Sequence, residues 1–216
     1  MHISNISIQA RNPNRVNVSI DGKYRFSLDI AQLVDAGLKK GQEIEEERLA
    51  ELESESEFGK LYARTLEYCL MRPHSAREVR DYLYKKTRVT KYKSRRNGEI
   101  LEREGASPAL TERVFDRLEQ KGYIDDEKFA RYWLENRNQA KGSSLRKLTN
   151  ELRVKGISTS IIEVIVAESD RSDDEELAKI IVKKRSKYPD DQKLMQYLAR
   201  QGFSYDDIKL ALAGDN

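Results

Sequence analysis

The chain has 216 residues, of which 36% are charged and only 38% are hydrophobic. The 40 basic residues nearly balance the 37 acidic ones, so the formal net charge is only +3. A composition this polar excludes one broad hydrophobic core and favours small helical units, each with a narrow apolar stripe. The single cysteine, Cys69, excludes an internal disulfide and a cysteine-based zinc cluster. The sequence has no apolar run long enough to span a membrane and no signal-peptide core, which predicts a cytoplasmic protein.

The first 42 residues predict a small β-meander cap that includes one short helix. Apolar and polar residues alternate over residues 16–20 and 24–28, and Asp21-Gly22 between them predicts a hairpin turn. An earlier turn is predicted at Asn12-Pro13-Asn14. Asp29 is placed to cap the short helix, which Gly37 or Gly41 would end.

Residues 43–57 predict an acidic linking helix. Only Arg48 interrupts a dense run of glutamates, and a solvated helix face explains such a run better than a metal site does.

From Phe58 onward, every periodic segment predicts a helix. Several pairs of residues have the chemistry of helix N-termini, in which a short polar side chain accepts from a free amide or a proline occupies the first turn. They are Ser75 with Glu78, Ser107 with Pro108, either Asp125 or Asp126, and Asp173 with Glu176. Gly122, Gly156 and Gly202 each predict a left-handed residue at a helix C-terminus.

An internal repeat is the strongest signal in the sequence. Leu152 and Leu198, Gly156 and Gly202, and Ile162 and Ile208 all lie 46 residues apart. Farther upstream, Ala130, Trp133 and Arg137 match Ala178, Ile181 and Arg185 at a spacing of 48 residues. Each unit contains a helix, a loop, a second helix that ends in glycine, and a third helix.

The fold is therefore predicted to be mainly α, with three tandem three-helix repeats of helix-turn-helix type in an elongated, curved array. The repeats are expected over residues 58–124, 125–170 and 171–216. The first contains a basic insertion at about residues 86–105.

The paired aspartates of the junction Gly122-Tyr123-Ile124-Asp125-Asp126, which Phe129-Ala130 follows, are compatible with metal binding or acid–base chemistry. Helix capping explains the paired aspartates better, because Asp173-Asp174 recurs at the next junction. With this motif, Arg72-Pro73-His74-Ser75 and Lys141-Gly142, the sequence resembles the RecX family of regulators of the RecA recombinase. The resemblance covers about residues 61–212, and the chain departs from the family pattern in the insertion after Lys86.

The resemblance implies a function without catalysis. Proteins of this family lie in the groove of the RecA–single-stranded DNA filament, where they hinder ATP hydrolysis, strand exchange and coprotease activity or speed the loss of the filament. It implies RecA as partner and contact with single-stranded DNA, directly or through RecA. No cofactor, metal or membrane is implied, and a monomer is expected.

Basic side chains are the candidate contacts with DNA or RecA. The insertion combines them with Tyr92, so it is expected either to follow a phosphate backbone or to be a solvated loop. Elsewhere a single charge is explained by solvation, and only a collective face would bind. The full candidate set is Arg72, Arg77, Arg88, Lys91, Lys93, Arg95, Arg96, Arg131, Arg137, Lys141, Arg146, Arg153, Lys155, Lys183, Lys184 and Arg185.

Two other functions stay open on the sequence alone. Three-helix units with basic helices are compatible with a helix-turn-helix DNA-binding regulator, which would bind duplex DNA without RecA. A helical-repeat scaffold for another protein would depend on neither DNA nor RecA. An enzyme is not indicated, because phosphate-binding and nucleophile motifs are absent from the sequence.

Overall fold

The computed structural model describes residues 1–94, 97–138 and 141–213. Its contacts divide the chain into two compact units. Unit 1 consists of residues 1–70 and 82–120, and unit 2 consists of residues 71–81 and 121–216. Over the described residues the chain is mainly helical, with one small N-terminal sheet, as predicted.

Unit 1 begins with an antiparallel sheet of strands β1 (Ile3–Gln9), β2 (Asn12–Ile20) and β3 (Lys23–Asp29), in that order. The predicted hairpin turn at Asp21-Gly22 is confirmed, since both residues have positive φ angles of 49° and 80°. The turn predicted at residues 12–14 was wrong. The chain turns at Ala10-Arg11, and Asn12 already pairs with Gln9. Pro13 is the second residue of β2, and a strand tolerates proline near its first residue.

The predicted acidic helix is part of a longer helix. After α1 (Ile30–Asp35), which Asp29 caps as predicted, α2 runs without a break from Glu46 to Met71. Leu49 and Leu52 on α2 are buried in the same core as the sheet. The acidic run therefore has one apolar stripe that anchors it, and its other faces hold the glutamates.

Unit 1 also contains the C-terminal part of α3 (Ala76–Thr87), strands β4 (Thr90–Lys93) and β5 (Ile100–Arg103), and α4 (Pro108–Gln120). Ser107 caps α4 as predicted, because its hydroxyl accepts from the Leu110 amide at 3.2 Å. The two strands form an antiparallel hairpin inside the basic insertion. The expectation that only helices follow Phe58 was therefore wrong at this place, where a β-branched and aromatic stretch pairs across a turn at Asn97-Gly98.

Unit 2 contains two three-helix bundles. The first packs α5 (Asp126–Asn136), α6 (Leu145–Val154) and α7 (Thr159–Ala167) around Phe129, Leu148 and Leu152. The second packs α8 (Asp173–Lys184), α9 (Asp191–Arg200) and α10 (Tyr205–Ala213) around Leu177, Leu194 and Leu198. Leu152 and Leu198, the pair that defined the 46-residue repeat, are both fully buried. The predicted boundaries between repeats stay a prediction.

Consecutive repeats in unit 2 meet through the same set of hydrogen bonds. The Ser75 hydroxyl, at the start of α3, donates to the carbonyl of Lys155 at the end of α6, at 2.9 Å. The Ser144 hydroxyl, at the start of α6, donates in the same way to the carbonyl of Gln201 at the end of α9, at 3.1 Å. Both serines are fully buried. In both cases, the second helix of one repeat begins against the end of the second helix of the following repeat. We call this arrangement the joint.

Aspartates complete the joint. Asp126 accepts from the Ala76 amide at 2.8 Å, and Asp173 accepts from the Leu145 amide at 2.7 Å. The prediction that Asp173 and Glu176 cap their own helix was wrong: Ser172 holds the N-cap position, and the Glu176 carboxylate binds Arg171. Free amides in the first turn of a neighbouring helix draw the Asp173 carboxylate across the joint.

Glycines make the joint possible. Gly156 and Gly202 follow α6 and α9 with φ angles of 85° and 96°, as predicted for left-handed residues. A Cβ atom on Gly202 would lie 2.3 Å from the Ser144 hydroxyl oxygen. Gly202 is therefore required both by its φ angle and by the close approach of α6.

Candidate functional site

The hairpin of unit 1 is an exposed basic ribbon. All eight residues of β4 and β5 are exposed, and Lys91 pairs across the strands with Glu102 at 3.1 Å. The Tyr92 ring is 50% exposed and lies between Lys91 and Lys93 in the sequence. Arg95 and Arg96, predicted as contacts, lie outside the described residues. The ribbon therefore presents cations and one accessible aromatic ring together.

A basic cleft lies at the base of this hairpin, and we call it the hairpin cleft. Its volume is about 410 Å³. Helix α2 contributes Lys60 and Arg64, which are four residues apart and share one helix face. The end of α3, the residue that follows it and the strand β5 contribute the remaining cations, which are Lys85, Lys86, Arg88 and Arg103.

Carboxylates do not neutralise the cations of the hairpin cleft. The only acidic residues in its lining are Glu57 and Glu104. Within residues 1–94, 97–138 and 141–213, none of the six cations makes an ion pair, and Lys86 lies over the ring of Tyr82 instead. Positive charge concentrated in a concave surface attracts polyanions more strongly than the same charge spread over a convex one.

The cleft is held in place by the backbone. The amide of Ala106 donates to the carbonyl of Lys86 at 2.9 Å, which ties the chain leaving β5 to the last turn of α3. A Cβ atom on Gly105 would lie 2.1 Å from the Thr87 carbonyl oxygen, so only glycine permits this approach.

Tyrosines lie near the cleft. Tyr68 and Tyr82 stack with their ring centroids 4.4 Å apart, and the Lys86 amine lies 4.5 Å from the centroid of Tyr82. These rings connect α2 to α3 and are structural. Tyr84, in contrast, is 69% exposed, so Tyr84 and Tyr92 are the rings that a base could reach.

A second basic surface lies in unit 2, between α6 and α9, and we call it the α6–α9 groove. Its volume is about 620 Å³. Five cations line it, against a single carboxylate, Glu151: Arg137, Arg146, Lys147, Lys155 and Arg200. The exposed side chain of Val154 and the ring of Trp133 also lie along it.

A buried charge cluster stands next to the joint. Glu78, with a side chain only 10% exposed, contacts Lys155 at 2.6 Å, Arg72 at 3.1 Å and His74 at 3.0 Å. The Ser75 hydroxyl accepts from the Glu78 amide as predicted, but the Glu78 carboxylate turns to these three side chains instead of completing a capping box. Burial raises the pKa of Glu78, but the hydrogen bonds from Lys155 and Arg72 and the charge of Arg72 outweigh it and lower the pKa to about 2. Arg72 and Lys155 are thus engaged inside the protein.

Other candidate residues of unit 2 are already paired on the surface. Arg131 bridges Glu127 and Glu168, and these two carboxylates raise its pKa. Arg137 contacts Glu151 at 3.0 Å, and Arg185 pairs with Asp191. Arg153 donates to the side-chain oxygen of Asn150 at 2.9 Å.

The rest of the candidate set is scattered. Arg77 packs its aliphatic part beside Gly156, and Lys184 lies 5.8 Å from the ring centroid of Tyr197. Lys141 and Lys183 are exposed and line neither the hairpin cleft nor the α6–α9 groove. Of the candidate set, the structure therefore places Arg88 in the hairpin cleft of unit 1, and it brings Arg137, Arg146 and Lys155 together in the α6–α9 groove of unit 2.

Sequence reasoning missed several lining residues. Lys60 and Arg64 carried a usable signal, because two cations four residues apart mark one helix face. Lys85 directly precedes the insertion, and Arg103 lies within it. Arg200 carried no signal, since its position in the second bundle matches Val154 in the first.

Comparisons with known proteins place the chain in a family. Models of three RecX domains match it: the regulatory protein RecX N-terminal domain over residues 1–45, the second three-helix domain over residues 125–164 and the third over residues 172–212. Regulatory protein RecX of Bacillus licheniformis is 32% identical over 218 residues, which cover 98% of this chain and 76% of the relative. The chain belongs to the RecX family. The family resemblance drawn from the sequence is thereby confirmed.

Another curated relative and two solved structures that the chain resembles are also RecX proteins. Regulatory protein RecX of Bacillus subtilis is 31% identical, over 97% of this chain and 75% of the relative. A crystal structure of regulatory protein RecX superposes with a TM-score of 0.68 at 22% identity and covers 98% of both chains. RecX from Lactobacillus salivarius gives a TM-score of 0.52 at 20% identity, over 73% of this chain and 95% of that one. These two likenesses support the fold of this RecX-family chain.

The described residues contain neither a candidate membrane span nor a candidate metal cluster. No helix among residues 1–94, 97–138 and 141–213 has the length and apolar character needed to cross a membrane. The same residues contain no group of three or more histidine, cysteine, aspartate or glutamate side chains arranged to hold a metal ion.

Proposed function

We propose that the chain is a cytoplasmic, monomeric regulator that binds the RecA–single-stranded DNA filament and lowers RecA ATPase, strand-exchange and coprotease activity. It acts by binding and carries out no reaction of its own. Membership of the RecX family supports this proposal, and the relatives it matches are named regulatory proteins. The observation that carries it is the hairpin cleft, where six cations without an ion pair among the described residues face one concavity.

The hairpin cleft suits the phosphate backbone of a single strand. Neutralising phosphates with lysine and arginine releases counterions, so each contact adds affinity that falls with salt. The exposed rings of Tyr84 and Tyr92 can each stack on a base without reading its identity. Cations with accessible aromatic rings are the combination that binds single strands without sequence preference.

The test is co-sedimentation of the full chain with RecA filaments on single-stranded DNA, together with the rate of RecA ATP hydrolysis. The triple variant Lys85→Ala, Arg88→Ala, Arg103→Ala should weaken filament binding about tenfold or more, because three backbone contacts are lost. A matched control replaces three exposed lysines of the N-terminal segment: Lys23→Ala, Lys39→Ala and Lys40→Ala. It removes the same charge and should bind within about twofold of the parent chain.

The outcomes separate the competing functions. Equal binding by the triple variant and the parent would remove the hairpin cleft from the proposal. Tight, sequence-dependent binding to duplex DNA in the absence of RecA would instead favour a helix-turn-helix regulator. A chain that stays in the supernatant and leaves ATP hydrolysis unchanged would favour a scaffold for another protein.

A further inference from the structure

The α6–α9 groove differs in chemistry from the hairpin cleft. Two of its five cations, Arg146 and Arg200, are exposed and make no ion pair within residues 141–213 or with the other described residues. Arg146 lies in the first turn of α6, and Arg200 is the last residue of α9. Both guanidinium groups are available to an incoming anion.

The other three cations already have contacts that orient them. Arg137 donates to Glu151 at 3.0 Å, Lys155 to Glu78 at 2.6 Å, and Lys147 to the Gln201 side-chain oxygen at 2.8 Å. Glu151 also accepts from the Trp133 indole N–H at 3.1 Å. The one carboxylate of the groove is thus occupied, and the groove keeps an excess of positive charge.

The aromatic ring in the groove is not open to a base. Trp133 packs against Phe129 with centroids 5.4 Å apart, while Arg137 and Lys155 lie 4.9 Å and 5.4 Å from its ring centroid. The Phe203 ring is only 4% exposed. Stacking by a nucleobase needs a free ring face, which the rings of the groove do not offer.

The groove offers an aliphatic contact instead. Val154, on α6, is 71% exposed, and Ala199, on α9, is exposed near it along the groove. An exposed valine among guanidinium groups suits a ligand that carries aliphatic side chains between carboxylates. Arginine binds carboxylates through two parallel hydrogen bonds, which adds direction to the attraction.

We propose that the α6–α9 groove binds an acidic peptide segment of a protein partner, with an aliphatic side chain on Val154 and carboxylates on Arg146 and Arg200. This deepens the proposed function and rests on it for the identity of the partner, which is the protein component of the filament. The two basic surfaces then bind different components: the hairpin cleft of unit 1 binds the nucleic acid, and the α6–α9 groove of unit 2 binds the protein.

The test uses the full chain and a fluorescein-labelled dodecapeptide of repeated Glu-Glu-Leu units, followed by fluorescence anisotropy. A dodecapeptide of repeated Glu-Glu-Ser units and an oligothymidylate with the same number of negative charges serve as competitors. We expect unlabelled leucine peptide to compete at least about fivefold better than either of them, because only it supplies both the carboxylates and the aliphatic side chains.

Two independent variants test the groove. The double variant Arg146→Ala, Arg200→Ala and the single variant Val154→Asp should each weaken peptide binding about tenfold. The control for the first is Lys193→Ala with Lys209→Ala, two exposed lysines of the second bundle outside the groove. The control for the second is Val182→Asp, an exposed valine on α8. Both controls should bind within about twofold of the parent chain.

Two results would overturn the proposal: peptide affinity that neither groove variant changes, and an oligothymidylate that competes as well as the leucine peptide. The filament assay separates this failure from that of the proposed function. If the peptide fails to bind but the chain still co-sediments with RecA filaments, only the groove assignment is lost. If the peptide binds but the chain does not co-sediment, the groove chemistry stands and its partner is not the filament.

Discussion

Replacing Glu78 by glutamine should make the stability of unit 2 less dependent on pH. The Glu78 carboxylate is held by Arg72, Lys155 and His74, which lower its pKa from 4.5 to about 2 against the opposing effect of burial. A pKa that is lower in the folded state stabilises the protein above the unfolded-state value, and this stabilisation disappears as the pH falls from about 4.5 towards 2. The ionised Glu78 carboxylate therefore stabilises unit 2 most at neutral pH.

The size of the effect follows from the same pKa. The difference between 4.5 and about 2 converts to about 3 kcal/mol at about 1.4 kcal/mol for each tenfold change in proton affinity. Arg72 and Lys155 each have side chains 34% exposed, so solvent screening lowers the expected value to about 2 kcal/mol. We expect Glu78→Gln to lower the free energy of unfolding by about 2 kcal/mol at pH 7, and by much less below about pH 3.

The measurement can be confined to unit 2. Trp133 is the only tryptophan of the chain and lies in that unit, so its fluorescence during urea unfolding reports on unit 2 alone. The control is Glu127→Gln, which removes an exposed partner of Arg131 and should change stability by less than about 0.5 kcal/mol at either pH. A difference between Glu78→Gln and the parent chain that stays constant from pH 6 to pH 3 would refute this reasoning.

Three further outcomes are expected. Ser144→Ala should lower the free energy of unfolding of unit 2 by about 1–2 kcal/mol, because a buried hydroxyl that donates to the Gln201 carbonyl is lost; an unchanged urea midpoint would contradict this role. Gly202→Ala should destabilise unit 2 more than Gly122→Ala, because both glycines have positive φ angles but only a Cβ atom at Gly202 would collide with Ser144. Equal urea midpoints for the two variants would show that the joint relaxes around the added methyl group. Burial raises the pKa of the Cys69 thiol, so iodoacetamide at pH 8 should label it only as unit 1 unfolds, and fast labelling of the native chain would exclude a buried thiol.

The sequence by itself determined the repeating helices and the places where they start and stop. Leu152 and Leu198 recur at a fixed spacing because each repeat buries the same face of its second helix. Asp21-Gly22, Asp125 and Gly156 act through their own backbone or through amides two or three residues away, so neighbouring residues suffice to identify them. Local chemistry of this kind is readable without knowing what packs against it.

Only the tertiary structure decided which polar groups meet across long stretches of chain. Asp173 has the sequence of a helix cap, yet its carboxylate accepts from Leu145, because the first turn of that neighbouring helix exposes a free amide. Glu78 meets Lys155, 77 residues away, and Arg200 reaches the same groove as Arg146 from another bundle. The energy of such contacts depends on burial and on distances between side chains, and the spacing of residues along one chain encodes neither of them.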